Sequence, residues 1–87
     1  MKTIRDAYVE TFVALRRTKR HLERAEIQWR LWLKRSTLAY NLGQEDLAVL
    51  ARRRALRSAE TVVALHHTFV KQNKELQHLT TLAHIKD

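Results

Sequence analysis

Apolar and small residues recur at alternating steps of four and three through the first half of the chain. The positions are Ile4, Tyr8, Thr11, Leu15, Thr18, Leu22, Ala25, Trp29, Trp32, Ser36 and Ala39, and Phe12, Leu33 and Tyr40 widen the stripe on one side. Because this spacing is typical of a coiled-coil seam, it predicts a helix over about residues 3–42. At 1.5 Å per residue such a helix is a rod roughly 60 Å long.

The second half carries a comparable pattern, which predicts a helix over about residues 46–84. Its expected seam is Leu47, Ala51, Ala55, Ser58 or Ala59, Val62, His66, Phe69, Asn73, Leu76, Thr80 and Ala83. The two successive steps of four, from Leu47 to Ala55, depart from a strict heptad. We therefore expect a weak or reversed local supercoil near the start of this helix.

Gly43 is the only glycine in 87 residues that include no proline, and it separates the two periodic halves. A glycine directly after a long helical pattern is a typical left-handed C-terminal cap. Glu45 and Asp46 then suit the positive end of a second helix. The sequence predicts one all-α domain over residues 1–87, a long antiparallel two-helix hairpin with coiled-coil character and its turn at about residues 43–45.

Folding at Gly43 places residues whose numbers sum to about 87 opposite one another. Trp29 and Trp32 then face Ala55, Ser58 and Ala59, so that large side chains meet small ones, as close packing requires. A ligand platform or a membrane-interface anchor is the alternative interpretation of the tryptophan pair.

Many apolar residues fall outside both seams, and two helices alone cannot cover them. They are Val9, Val13, Ile27, Leu31, Leu42, Val49, Leu50, Val63, Leu65, Val70, Leu79, Leu82 and Ile85. Small cores supply little stability, so we expect the hairpin to self-associate into a homo-oligomer.

The formal net charge of +8 is concentrated in the first half, where residues 1–42 carry ten Lys/Arg against four acids. Two clusters dominate, and we predict that they bind anionic lipid or another polyanion: Arg16, Arg17, Lys19, Arg20 and Arg24, and Arg52, Arg53, Arg54 and Arg57. The alternative is that they form salt bridges with Glu23, Glu26 and Glu60, within one rod or between packed rods. Nucleic acid is a less favoured partner, because no known DNA-binding module is present.

Other kinds of chemistry find little support in the sequence. The chain has no cysteine for disulfides or thiolate sites, no long apolar run and no signal-peptide core. His66 and His67 are adjacent and point to different faces, and His78 lies too far along the helix to join them. His84 has only weak neighbours, and neither Glu23 nor Arg24 gives His21 a partner at ligand spacing. We expect no enzymatic activity, metal or cofactor.

Trp32, Leu38-Ala39, Gly43 and Glu45-Asp46-Leu47-Ala48, followed by a basic helix, resemble the hairpin of the phage shock protein A family. That family includes the vesicle-inducing protein of plastids and is related to ESCRT-III. The resemblance is dense over residues 25–60, but Val49 and Arg52 depart from it. We expect the family's amphipathic N-terminal helix to be absent or reduced to the first dozen residues, and its later assembly helices to be missing. It implies binding to stressed anionic membranes, assembly into rings or rods, and control of a AAA+ transcriptional activator.

Taken together, these features predict a non-enzymatic, self-assembling stress-response scaffold for membrane remodelling, cytoplasmic and peripheral on the inner face of the membrane. The alternative is a regulatory module whose hairpin docks on a AAA+ ATPase or transcriptional activator.

Overall fold

The computed structural model describes residues 1–86, which form two helices, α1 (Ile4–Asn41) and α2 (Glu45–Lys86). The side chains of Ile85 and Lys86, and all of Asp87, lie outside the description. The helices run antiparallel as a rod of 65 × 18 × 13 Å. Its radius of gyration is 19.2 Å, whereas a globular chain of this length would have roughly 12 Å. The predicted all-α hairpin is confirmed.

The turn between the helices is closed by backbone hydrogen bonds around Gly43. The Gly43 N–H donates to the Tyr40 carbonyl at 3.0 Å, and the Gln44 N–H donates to the Ala39 carbonyl at 2.9 Å. This paired pattern is a Schellman motif, and it needs a left-handed residue at the position of Gly43, whose φ is +75°. Glu45 is already helical, one residue earlier than the predicted turn allowed, so that the turn covers residues 42–44.

The N-terminus of α1 carries a cap that the sequence interpretation above does not include. The Thr3 hydroxyl accepts a hydrogen bond from the Asp6 N–H at 3.1 Å, and the Asp6 carboxylate accepts one from the Thr3 N–H at 3.3 Å. This reciprocal arrangement is a capping box, which satisfies two backbone donors that the helix itself leaves free. A Thr followed three residues later by an acid is its sequence signal.

The seam predicted for α1 is confirmed at every position from Ile4 to Ala39. Each of its residues is buried or half-buried, and Thr18, Ser36 and Ala39 are the most enclosed. The residues expected to widen the stripe are exposed instead: Phe12, Leu33 and Tyr40. They flank the seam on a side that α2 does not cover.

The seam predicted for α2 is wrong in phase at several positions. Leu47, His66, Thr80 and Ala83 are exposed, and their neighbours Ala48, Leu65, Leu79 and Leu82 lie against α1. The observed seam is Ala48, Ala51, Ala55, Ser58, Val62, Leu65, Phe69, Gln72, Leu76 and Leu79. Its steps alternate between three and four without exception. The predicted irregularity near Ala51 is therefore absent, and α2 keeps a strict heptad along this stretch.

The core between the helices is built from small side chains near the turn. The buried apolar residues of the described chain are Ala39, Ala48, Ala51 and Ala55. Ser36 is buried with them, and its hydroxyl donates to the Ala48 carbonyl at 3.1 Å. A serine hydroxyl lies only one bond beyond Cβ, so this contact requires the two backbones to approach closely.

Candidate functional site

The hairpin has two broad faces, one on each side of the plane that contains both helices. Equivalent flanking positions of two antiparallel heptad helices lie on the same side of the pair. Arg35 and Arg54 each directly precede a seam residue, and both guanidinium groups lie over the Trp32 ring, at 4.6 and 4.7 Å from its centroid. We call their side the arginine face. We call the opposite side, which carries Leu33 of α1 and Val63 of α2, the valine face.

The pairing of Trp32 with two arginines is the most specific side-chain arrangement on the surface. Each cation is attracted by the negative face of the indole, an interaction worth about 0.5–1 kcal/mol at an exposed site. Trp29 and Trp32 both lie in the α1 seam and are half-buried there. A two-helix pair covers one side of a large ring, and here arginine side chains cover part of what remains.

The small residues predicted to face the tryptophans lie on the inner side of α2. Ala55 is the most enclosed core residue, at 2% exposure, and Ala59 is half-buried. This placement agrees with the pairing of residues whose numbers sum to about 87, since Arg54 reaches Trp32 across the seam.

All nine basic residues of the two predicted clusters are exposed. The antiparallel register separates the clusters. Arg54 lies opposite Trp32, about 12 residues along the rod from Arg20 in the middle of the first cluster, which corresponds to roughly 20 Å. Arg35 extends the second cluster, because its guanidinium group and that of Arg54 both lie over the Trp32 ring. The rod thus presents two basic patches rather than one.

Salt bridges do not neutralise these patches. The ion pairs among the described side chains are Lys2–Glu10 and Arg30–Glu26, the latter at 3.9 Å. Neither includes a member of either cluster. Arg16 instead lies over the Phe12 ring, 5.9 Å from its centroid. The proposed pairing with Glu23, Glu26 and Glu60 inside one rod is therefore not observed in the described part of the chain.

The hairpin end around Gly43 differs from the rest of the rod in its charge. No Lys or Arg occurs between residues 36 and 51, whereas Glu45 and Asp46 begin α2. Several large aliphatic side chains are exposed there: Leu38, Leu42, Leu47, Val49 and Leu50. Only a shallow depression lies at the turn itself, lined by residues 43–47. This end offers an apolar contact surface rather than a ligand cavity.

The open end of the hairpin contains a cleft of about 830 Å³, lined by Ile4, Tyr8 and Ala83 among others. Beside it, the hydrogen bond from Lys2 to Glu10 raises the pKa of the Lys2 ammonium group. Across the described chain, no three His, Asp or Glu side chains come close enough together to hold a metal ion.

Comparison of the chain with models of protein families, with curated proteins and with solved structures gives no match in any of the three. The resemblance to the phage shock protein A family therefore stays a prediction. Neither helix, over the residues described, is long and apolar enough to cross a membrane.

Proposed function

We propose that this protein is a non-enzymatic scaffold that adsorbs to anionic membrane surfaces through its two arginine clusters and self-associates there. The observation that carries the proposal is the exposure of all nine cluster residues, none of which has an ionic partner among the described side chains. Unpaired cations on a rigid rod keep their full attraction for an anionic surface. The family resemblance points to the same partner.

The expected strength follows from the number of cations that reach the surface. Each Lys or Arg near an anionic bilayer contributes about 1 kcal/mol at low salt. Two patches roughly 20 Å apart let one rod lie along the membrane with both engaged. The attraction decays over a Debye length of about 8–10 Å near physiological ionic strength, so binding should weaken steeply as salt rises.

Vesicle co-sedimentation tests this proposal. Replacing Arg16, Arg17 and Arg20 by Gln, or Arg52, Arg53 and Arg57 by Gln, should weaken binding to phosphatidylglycerol vesicles by about tenfold or more. Arg54 is left in place because it lies over Trp32. A variant with Arg5, Lys71 and Lys74 changed to Gln loses the same charge outside the clusters and is the matched control. Equal losses in all three variants would show a net-charge effect without a site.

Self-association is assigned to the leucines beside the turn. Leu38, Leu42, Leu47 and Leu50 are exposed in a stretch without Lys or Arg, so the excess positive charge opposes contact least there. The double change of Leu38 and Leu47 to Gln should reduce the oligomer size in sedimentation velocity. An unchanged size would place the subunit contact elsewhere.

A second candidate function uses this same end of the hairpin. The exposed leucines form a compact apolar surface, and Glu45 and Asp46 lie beside it. Such a surface is typical of sites that bind a protein partner, here a AAA+ ATPase or transcriptional activator. Three results together would favour this regulatory role. The protein would be monomeric, it would not bind vesicles, and the Leu38 and Leu47 changes would abolish its binding to the partner. A salt-dependent shift of duplex DNA without vesicle binding would instead indicate a nucleic-acid binder.

A further inference from the structure

Two arginines from different helices converge on one tryptophan ring of the arginine face. The guanidinium carbons of Arg35 in α1 and Arg54 in α2 lie 4.6 and 4.7 Å from the centroid of the Trp32 ring. Because both distances are measured from the same centroid, the two guanidinium carbons are at most roughly 9 Å apart. Each helix supplies one of the two arginines, so only the folded hairpin brings them together.

The two cations have no anionic group to compensate them. The stretches that contain them, residues 27–44 and 47–59, include seven Lys/Arg and neither Asp nor Glu. Glu26, just before the first stretch, pairs with Arg30. Glu60, just after the second, forms no ion pair among the described side chains. Like charges are thus held close together, and an anion that bound to both would relieve their repulsion.

The guanidinium groups of Arg35 and Arg54 also keep hydrogen-bond donors for a ligand. Both side chains are exposed, and neither forms an ion pair among the described side chains. A guanidinium group carries five N–H donors in a fixed fork that matches the paired oxygens of a phosphate. The contact with Trp32 restrains both side chains before a ligand arrives, so less rotamer freedom is lost on binding.

The charge and the number of donors favour a terminal phosphate group, which is esterified at one oxygen only, over a phosphodiester. A terminal phosphate carries about 1.5 to 2 negative charges near neutral pH and has three strong acceptor oxygens. It can therefore accept hydrogen bonds from two guanidinium forks at once. A phosphodiester has a single charge and two free oxygens, which suit one fork.

We propose that Trp32, Arg35 and Arg54 form a binding site for a terminal phosphate group, carried by a lipid headgroup or by a small soluble phosphomonoester. Both guanidinium groups donate to the phosphate oxygens, and Trp32 holds them in place. The site goes beyond adsorption through the two clusters, because Trp32 and Arg35 belong to neither. It does not depend on that adsorption, since one chain supplies all three residues.

Vesicle co-sedimentation with two anionic lipids tests the site in the full chain. Phosphatidic acid has a terminal phosphate, whereas the phosphate of phosphatidylglycerol is a diester. The two kinds of vesicle are adjusted to the same zeta potential. The protein should bind the phosphatidic acid vesicles with a Kd lower by about fivefold or more. Equal affinities would mean that surface charge alone explains binding to vesicles.

Variants at neighbouring positions locate the site. Changing Arg35 and Arg54 to Gln should abolish the preference for phosphatidic acid. Changing Lys34 and Arg53 to Gln removes the same charge one residue away in each helix, at exposed positions, and should leave the preference intact. Changing Arg35 and Arg54 to Lys keeps the charge and should still lose most of the preference, because lysine lacks the fork.

Circular dichroism establishes that all three variants stay helical. A preference that survives the change of Arg35 and Arg54 to Gln, or that the Lys34 and Arg53 variant loses equally, would overturn the proposal. A preference that lysine retains in full would overturn the role of the guanidinium forks.

Isothermal titration calorimetry with glycerol 3-phosphate measures the site without a membrane. Binding that the Gln variant of Arg35 and Arg54 loses, and the Lys34 and Arg53 variant keeps, would show that a soluble phosphomonoester fills the site. No binding in solution, together with the preference for phosphatidic acid, would assign the site to a lipid headgroup. No binding in solution and no preference between vesicles would overturn the proposal.

Duplex DNA tests the remaining polyanion, whose phosphates are diesters. Fluorescence anisotropy should find the two Gln variants weakened alike in DNA binding, since they lose the same charge. A larger loss in the Arg35 and Arg54 variant would show that the pair binds a nucleic-acid backbone, and the assignment to terminal phosphates would be wrong. Failure of the scaffold function appears separately, as absent binding to phosphatidylglycerol vesicles, so it is distinguishable from failure of this inference.

Discussion

The hydroxyl of Ser36 in α1 donates a hydrogen bond to the backbone carbonyl of Ala48 in α2, at 3.1 Å. The bond lies three residues before Ala39, whose carbonyl accepts a hydrogen bond in the Schellman motif. On the sides where the two helices face each other, the side chains there are small. The threonine hydroxyls that donate a hydrogen bond in the described structure do so within their own helix, as Thr18 does to the Ala14 carbonyl. The Ser36–Ala48 bond therefore links the two helices and fixes their register near the turn.

Replacing Ser36 by Ala should lower the free energy of unfolding by about 0.5–1.5 kcal/mol, the net value of one such hydrogen bond. The alanine fits the space, so the loss reports the bond rather than a change in packing. Thr37→Ala is the control, because the exposed Thr37 hydroxyl bonds only to Leu33 in its own helix. Chemical unfolding followed by circular dichroism measures both. Equal effects at the two positions would contradict an interhelical role for Ser36.

Gly43→Ala should destabilise the hairpin by about 1 kcal/mol, because a left-handed φ is unfavourable for a residue with a Cβ. A Cβ at this position would meet no atom within 4 Å, so the cost comes from the backbone conformation and not from a clash. Gly43→Asn should cost less, because asparagine tolerates this region better than alanine. If the Gly43→Asn variant has a lower melting temperature than the Gly43→Ala variant, the turn does not require left-handed geometry.

Gln72→Leu should stabilise the protein by about 1–3 kcal/mol. Gln72 occupies a seam position in α2, and its side-chain oxygen is buried without a hydrogen-bond partner in the described residues. An unsatisfied buried acceptor costs about that amount, and leucine removes it while retaining most of the volume. Gln77→Leu, at an exposed site on the same helix, is the control. A melting temperature that falls in Gln72→Leu would show that the glutamine is satisfied, for example by water.

Ala55→Leu should destabilise the hairpin by about 1–3 kcal/mol through overpacking. Ala55 is 2% exposed and lies in the register opposite Trp32, so three added carbons have no free volume to occupy. Ala64→Leu adds the same atoms at an exposed position of α2 and should be nearly neutral. A blue shift of tryptophan emission with unchanged stability in Ala55→Leu would indicate that the layer is loose.

A part of the candidate surface could be predicted when its residues are close together in the sequence. The two basic clusters are consecutive or near-consecutive in sequence, so their location needs no fold. Their separation of roughly 20 Å along the rod, and the stacking of Arg35 and Arg54 on Trp32, depend on the register of two distant segments. Val49, Val63 and Val70 were predicted to lie outside the seam, and their exposure confirms this, whereas the equally exposed Leu56 was missed.

The sequence by itself determined the two helices, the turn at Gly43 and the seam of α1. A single glycine between two long periodic halves leaves one place for reversal, and in α1 one helical stripe is clearly richer in apolar and small residues than its neighbours. In α2 two adjacent stripes compete, since Leu47 and Ala48 both qualify, as do Leu65 and His66. The tertiary structure decided between them: next to the turn, Ser36 and Ala39 of α1 bring the backbones close, and only the small Ala48 and Ala51 fit against them. That choice sets the phase of the whole of α2, because a helix is rigid, and it leaves Leu47, Val49, Val63 and Val70 facing outward.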